Sequence, residues 1–351
     1  MTPIRSWRNE ALGAAVDAHP RVPFLSWVTP LERQPRLGAA LGIDLRVKRD
    51  DLTGLAFGGN KVRQLEFYFG KARAADADTV LITGAVQSNY VRVAAACAAR
   101  LGMACHVQLE ERVPDVDEIH RTSGNVLLDQ LLGATLHSYP VGEDEEGADR
   151  RLREIADGLE RQGRRPYVIP LGAANPPIGA LGYIRCAREL VDQADDIDHV
   201  VVASGSGHTH AGLLFGLRAS GWRGTVHGIC VRRAAALQTA RIIGHGERIA
   251  AMLAVPNPVA AADVHVHDDV LAPGYGVMND AVVDAIRTSA QHDGLLLDPV
   301  YTGRAMAGLF RCARDGRLPR GSRVVFIHTG GLPALFGYAT ALRRNMERDV
   351  P

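Results

Sequence analysis

Lys61 closes the run Arg49-Asp50-Asp51-Leu52-Thr53-Gly54-Leu55-Ala56-Phe57-Gly58-Gly59-Asn60-Lys61, in which two glycines let the backbone come close to a ligand. An amine in that setting suits covalent anchoring of an aldehyde cofactor better than a solvated surface charge. Two further stretches carry groups that such chemistry needs. Ser204-Gly205-Ser206-Gly207-His208-Thr209-His210-Ala211-Gly212 follows an apolar run and precedes a helical one, the arrangement in which backbone N–H groups cradle a phosphate. Gly84-Ala85-Val86-Gln87-Ser88-Asn89 likewise joins a strand to a small-residue helix, with Ser88 or a neighbour as cap, and its first-turn N–H groups favour a carboxylate. An anchoring lysine, a phosphate grip and a carboxylate clamp are the parts required by a pyridoxal phosphate enzyme acting on an amino acid.

An α/β framework must hold these groups. Asp44 to Arg49 alternates as a strand feeding the lysine segment, and a helix follows from about Val62 to Ala74. Thr79 to Thr83, a helix through Arg100 and a strand near Met103 to Leu109 form a βαβ unit with continuous apolar strands, as parallel strands covered on both faces have. A helix near Ser123 to Leu132 and a strand over Thr135 to Ser138 come next; the acidic stretch Gly142 to Asp149 is expected as a solvated loop or helix start. A helix over Arg150 to Gln162 and the strand Tyr167 to Pro170 precede Gly172 to Gly179, the expected return crossing between lobes. Further strands are expected over His199 to Ala203, Thr225 to Val231, Asp263 to Val266, Leu295 to Leu297 and Val324 to His328, with helices between them and Pro333 opening the last. Residues 1–30, with Trp7 and Trp27, are expected as an irregular arm, and Leu31 to Gly42 as a helical patch.

The 351 residues exceed what one hydrophobic core usually serves, so two lobes are expected. A net charge of +1, from 40 basic and 39 acidic side chains without long blocks, argues against nucleic acid as a partner. No apolar run reaches the roughly 18 residues that span a bilayer, and no leader is evident, so a cytoplasmic enzyme is expected. Five scattered cysteines, Cys97, Cys105, Cys186, Cys230 and Cys312, indicate buried thiols and neither disulfides nor zinc. His208 with His210, and His265 with His267, would share a face on a strand, but neither pair has an evident third ligand, and no metal is expected. A dinucleotide fold is disfavoured because His210 stands where a third small residue should pack and Arg232-Arg233 where a ribose-binding acid should be; an NADP-type arginine stays open. Neither a P-loop nor a serine-hydrolase elbow occurs.

Gly58 to Lys61, Gln87-Ser88-Asn89, Ser204 to Gly212, Ala272-Pro273-Gly274-Tyr275-Gly276, Leu297-Asp298-Pro299-Val300-Tyr301-Thr302-Gly303 and His328-Thr329-Gly330-Gly331 together resemble the D-cysteine desulfhydrase and 1-aminocyclopropane-1-carboxylate deaminase family, which also includes L-cysteate sulfo-lyase. The resemblance runs from about Thr29 to Tyr338. It implies the tryptophan synthase β-like α/β fold of two open, mostly parallel twisted sheets with helices on both faces. A large lobe of residues 1–63 and 173–351 would bind pyridoxal 5'-phosphate, and a small lobe of 64–172 would close over substrate. The resemblance further implies that Lys61 carries the Schiff base, that Asn60, Thr329 and the loop Ser204, Gly205, Ser206, Gly207, His208 and Thr209 hold the cofactor, and that Asn89 bonds its phenolic oxygen. Gln87, Ser88, Asn89 and Tyr90 would contact substrate, with Tyr275 and Tyr301 at the reacting carbons. The implied reaction is elimination of sulfide from D-cysteine or of sulfite from L-cysteate, with pyruvate and ammonia formed by a homodimer. Deamination of 1-aminocyclopropane-1-carboxylate is the alternative, and a non-catalytic cofactor-binding protein a remoter one. Four positions depart from relatives near the pocket: Tyr90, His208, Met278, and Thr302, where deaminases have a glutamate. An imidazole at His208 would suit a charged leaving group.

Overall fold

The computed structural model describes residues 8–347, so Trp7 of the expected arm lies outside the described residues. The chain begins α1 (Glu10–Asp17), β1 (Leu31–Arg33), α2 (Pro35–Leu41), β2 (Asp44–Lys48) and α3 (Asn60–Ala74). There follow β3 (Thr79–Ala85), α4 (Asn89–Leu101), β4 (Ala104–Glu110), α5 (Glu118–Thr122), α6 (Asn125–Leu131), β5 (Thr135–Tyr139), α7 (Glu145–Glu160) and β6 (Pro166–Ile169). The remainder is α8 (Ala180–Gln193), β7 (His199–Ser204), α9 (His208–Ala219), β8 (Thr225–Cys230), α10 (Ala235–Leu253), β9 (His265–His267), α11 (Asp280–Asp293), α12 (Thr302–Arg314), β10 (Arg323–Ile327), α13 (Leu332–Gly337) and α14 (Ala339–Glu347).

Two sheets result. One has the order β1-β2-β10-β7-β8-β9 and is parallel apart from the β1–β2 pair; the other, β5-β4-β3-β6, is parallel throughout and drawn wholly from residues 79–169. Alternate residues explain the continuous apolar runs. Val200, Val202, Val325 and Ile327 enter one core while Val201, Ala203, Val324 and Phe326 enter another on the opposite face, so β7 and β10 are covered on both sides. Val80 and Ile82 of β3 face one core and Leu81 another. This is the expected fold class, and it leaves the carboxyl ends of β3 and β7 as places for ligand-binding turns.

Several local expectations change. The supposed arm contains α1, capped by Asn9 Oδ1 accepting from Leu12 N at 3.0 Å, and α1 buries Leu12 and Val16 against α8 and its neighbours. The patch after Pro30 is split, because Leu31 to Arg33 pair with β2 before Pro35 opens α2. Leu295 to Leu297 form no strand: Leu295 and Leu297 are buried by packing rather than by a ladder. His208 and His210 stand on a helix, where spacing of two separates their faces.

His265 and His267 are on β9, and His227, His267 and Cys312 place ligand atoms within 4.8 Å of one another. Hydrogen bonds already occupy those imidazoles. Arg317 Nη1 can only donate, so at 2.9 Å it makes His267 Nδ1 the acceptor; His267 Nε2–H then donates to His227 Nδ1 at 2.9 Å, and His227 Nε2–H to His199 Nδ1 at 3.1 Å. All five cysteines are free and buried. No helix among the described residues is long and apolar enough to cross a membrane.

Candidate active site

The segment before Lys61 adopts a conformation few residues tolerate. Ala56, Phe57, Gly58 and Gly59 have φ of 45°, 66°, 62° and 111°, and a Cβ on Gly58 would stand 2.3 Å from Asp51 O. Specific bonds hold it. Arg92, wholly buried, donates from Nη1 to Ala56 O at 2.8 Å and from Nη2 to Gly58 O at 3.0 Å; Gly59 N donates to Thr53 Oγ1 at 2.8 Å, and Asn60 N to Thr329 O at 3.0 Å. The rotation of α3 is set two residues after the lysine, where Arg63 bonds Asp50 from Nε and Nη2 at 2.9 and 3.0 Å and Glu189 from Nη1 and Nη2, both at 2.7 Å.

Lys61 therefore points into a cavity between the two sheets. Its side chain keeps partial access through that cavity, while the amine lies deep among protein atoms, and this desolvation pushes its pKa down to about 8. Its polar neighbour is Gln64 Oε1 at 3.3 Å, and the Tyr90 ring lies 5.0 Å away. No carboxylate among the described residues pairs with it.

Gly205, Ser206, Gly207 and Thr209 line the same cavity, between β7 and α9. Gly207 has φ 99°, and a Cβ there would strike His245 Cδ2 at 2.7 Å. Arg233 Nη1 and Gln238 Nε2 donate to Gly205 O, and Arg241 Nε and His245 Nε2 hold Ser206 O. The carbonyls are thus tied outward, while the N–H groups of Ser206 and Gly207 have no acceptor among the described residues. Thr209 Oγ1 accepts from Asn60 Nδ2 and Gln64 Nε2, both at 2.8 Å, which leaves its hydroxyl hydrogen as a donor. Ser204 and His208 do not line the cavity: Ser204 Oγ is bonded behind the loop to His210 and Gln238, and the His208 ring packs edge-on against His245 at 4.9 Å.

On the opposite wall, Ser88 caps α4 by accepting from Tyr90 N and Val91 N at 3.2 and 3.3 Å, so its O–H remains to be donated. Gln87 and Asn89 are not on the cavity wall. The Gln87 amide donates to His120 O and Ser123 O and accepts from Asn125 N, and Asn89 Oδ1 accepts from Asn125 Nδ2, so both brace the α4–α6 contact. Tyr275 and Tyr301 do line it, their hydroxyls 2.9 Å apart, and burial raises the pKa of both, keeping them protonated. Thr329 lines the cavity too, whereas Thr302 is bonded to Asp298 and Met278 faces a separate groove.

Two arginines also line the wall: Arg112, which has no counterpart among the residues picked from sequence, and Arg232, left open there as a nucleotide-binding arginine. Arg232 bonds Glu143 and Glu145, and Glu145 also holds Arg233 and Arg241, so the acidic stretch, which opens α7 as the expected helix start, is bonded through Glu143 and Glu145 to the arginines behind the phosphate-type loop. Those bonds also give Arg232 and Arg233 partners within the protein, away from any nucleotide ribose.

A strand-turn-helix loop with unpaired N–H groups facing a buried lysine amine fits a phosphorylated aldehyde, and residues 22–330 match the model of a family described as pyridoxal-phosphate dependent enzyme. The chain belongs to that family. Within it, D-cysteine desulfhydrases of Salmonella typhimurium and Salmonella typhi are each 44% identical over 322 residues, 91% of this chain and 96% of theirs. The solved structure of an ACC deaminase homologue aligns with a TM-score of 0.86 and 36% identity, covering 98% of this chain and 100% of that one. A fungal L-serine ammonia-lyase from Rhizomucor miehei, 18% identical with a TM-score of 0.66 over 93% of this chain and 99% of that one, shares the fold. The protein is thus an enzyme whose cofactor is pyridoxal phosphate, and the cavity has the residues to hold it: an amine in Lys61, N–H donors in Ser206 and Gly207, and a hydroxyl in Thr209.

Proposed function

We propose that the enzyme is a carbon–sulfur lyase that converts a three-carbon sulfur amino acid to pyruvate and ammonia, releasing sulfide from D-cysteine or sulfite from L-cysteate. The observation that carries this is the convergence of Lys61, the Ser88 hydroxyl and the Tyr275–Tyr301 pair on one cavity. The 44% identical relatives, both D-cysteine desulfhydrases, support D-cysteine. Deamination of 1-aminocyclopropane-1-carboxylate is the second reading, favoured by the likeness to the ACC deaminase homologue, but Thr302 offers no carboxylate and is turned to Asp298.

Pyridoxal phosphate, when bound, supplies an electron sink for charge developing at the substrate α-carbon. Lys61 would take the α-proton at Nζ; its depressed pKa leaves about half of the amine unprotonated near pH 8. Ser88 donates its O–H, and the first-turn N–H groups of α4 their partial charge, to the substrate carboxylate. The Tyr275–Tyr301 pair stands ready to pass a proton to the departing sulfur. Thr329, which lines the cavity, would serve as a neutral partner for the cofactor ring. His208, Ser204, Gln87 and Asn89 act from behind the wall, by packing and bracing.

In this proposal residues 1–63 and 173–351 form the cofactor-binding lobe and 64–172 the lobe that closes over substrate, supported by the confinement of the second sheet to residues 79–169. A cytoplasmic setting accords with five free buried thiols. A homodimer would cover Leu52, Phe57 and Leu296, which are 42%, 62% and 51% exposed around one groove; light scattering tests it.

Pyruvate and ammonia measured side by side on D-cysteine, L-cysteine, L-cysteate and 1-aminocyclopropane-1-carboxylate test the assignment. Lys61→Ala is expected to abolish steady-state pyruvate formation, and near-normal turnover by that variant would overturn it.

A further inference from the structure

Arg112 sits two residues beyond Glu110 at the carboxyl end of β4, and its side chain is only 6% exposed. Both Nε and Nη2 donate to Glu110 Oε2, at 2.9 and 2.7 Å, and Thr83 Oγ1 fills Glu110 Oε1 at 2.7 Å. The carboxylate is wholly buried, so this triad fixes the guanidinium plane. Nη1 has no partner among the described residues and is not among the atoms sealed from solvent, while Arg112 lines the cavity. The guanidinium carbon also lies 5.7 Å from the centre of the Tyr275 ring, beside the tyrosine pair and across from the phosphate-type loop. Arg232 lacks such a free edge, since Nε, Nη1 and Nη2 already donate to Glu143, Glu145 and Gly142 O.

We propose that Arg112 is a specificity-determining residue that binds an anionic group on the substrate β-carbon, and that the enzyme therefore prefers a β-sulfonate amino acid to a β-thiol one. This rests on the elimination proposed above and adds the substrate class to it. A sulfonate oxygen is a permanent hydrogen-bond acceptor carrying charge, matched to a fixed, buried N–H donor; a thiol is a weak acceptor and leaves that donor unpaired. Ser88 and the start of α4, which follow the neighbouring strand β3, remain for the α-carboxylate, so the two anionic ends of the substrate would meet separate donors on one wall of the cavity.

The test uses the cofactor-loaded enzyme and Arg112→Lys and Arg112→Leu variants, each first checked for its cofactor absorbance and melting temperature. Pyruvate formation is measured with L-cysteate and D-cysteine, and binding of 3-sulfopropanoate and propanoate, which lack the reacting amine, by calorimetry. Wild type is expected to favour L-cysteate and to bind 3-sulfopropanoate over propanoate. Loss of a hydrogen bond to a charged group corresponds to about 10- to 100-fold, so the cysteate-to-cysteine ratio of kcat/KM should fall by about that factor in Arg112→Leu, with part of it restored in Arg112→Lys. Weaker 3-sulfopropanoate binding with propanoate little changed supports the assignment even if turnover is lost in a variant. Equal weakening of both would place Arg112 on the α-carboxylate and overturn it. Wild-type turnover of D-cysteine without cysteate overturns the preference and leaves the elimination standing; pyruvate from no sulfur amino acid sinks the elimination itself.

Discussion

The amine of Lys61 should titrate far below an ordinary lysine, and the apoenzyme offers a direct measurement. Desolvation lowers its pKa from 10.5 to about 8, with no carboxylate to counter it and with a Gln64 contact at 3.3 Å and the Tyr90 ring at 5.0 Å as its partners. At pH 8 about half of it is neutral, against about 0.3% for a lysine at 10.5, a difference of about 150-fold in the nucleophilic form. Uptake of pyridoxal phosphate by the apoenzyme, followed by absorbance, should rise with pH and level off above about pH 8, whereas the same aldehyde reacting with free N-acetyl-lysine should keep rising through pH 10. Tyr90→Leu removes a ring face that favours the charged amine, so its inflection should move lower by about half a unit. A rate climbing tenfold per pH unit through pH 10 would refute a desolvated amine. Stability carries the same signature with a definite sign. The folded pKa is depressed, so between about 8 and 10.5 the unfolded chain binds more protons than the folded one, and apoenzyme stability should rise across that window by at most about 3 kcal/mol.

Arg63→Met should cost about 3–5 kcal/mol of unfolding free energy in urea titrations, because it strands Asp50 and Glu189 in the core with Lys48 as the remaining cation of the cluster. A loss under 1 kcal/mol would show that the cluster does not fix α3. Asp129 is the opposite case from Lys61: both carboxylate oxygens are buried without a hydrogen-bond partner among the described residues, and burial pushes its pKa up to about 8 despite the nearby Arg92. Its folded pKa is raised, so its contribution is largest in acid and is lost as pH rises through 8; Asp129→Asn should gain on wild type by up to about 4 kcal/mol more at pH 9 than at pH 5. Parallel pH–stability profiles for the two proteins would refute it.

Sequence pattern revealed the strand-turn-helix sites because each is local. Apolar β3 and β7 run into glycine-containing turns, and Ser88 caps the following helix as expected. What stayed hidden depends on distant partners. Glu145 reads as one acid in a charged run, yet it bonds Arg232, Arg233 and Arg241, 87 to 96 residues away. Arg112 belongs to none of the motifs in the sequence, and only the end of β4 places it with Glu110; their spacing of two is a signal for a shared face, but nothing local says that this face lines a cavity. His208 drew attention by its type, and only the helical start at that residue turns its ring toward His245. Gln87 and Asn89 are expected from the resemblance as contacts to substrate and cofactor, but their amides answer to Asn125 and the α5–α6 turn, which no local pattern encodes.

Two lysines in this fold, one sealed in the core and one lining the cavity, separate positioning from chemistry. Lys48, at the end of β2, donates to Thr29 O, Glu189 and Gln193 at 2.8, 3.0 and 2.8 Å, so its proton is held by a carboxylate and two neutral acceptors. Among the described residues Lys61 has a single neutral acceptor and no carboxylate, although Glu189 and Asp50 lie one arginine away. Arg63 makes the difference. Its fork claims both carboxylates, fixing the rotation of α3 by bonds made on the side away from the cavity while keeping negative charge off the amine. A lysine at position 63 would offer one point charge in place of that fork and would leave part of Asp50 or Glu189 unmatched. The unmatched carboxylate would favour the protonated Lys61 and remove the base that the chemistry needs, so the ion cluster governs reactivity through the partners it withholds from Lys61 as well as through the geometry it imposes.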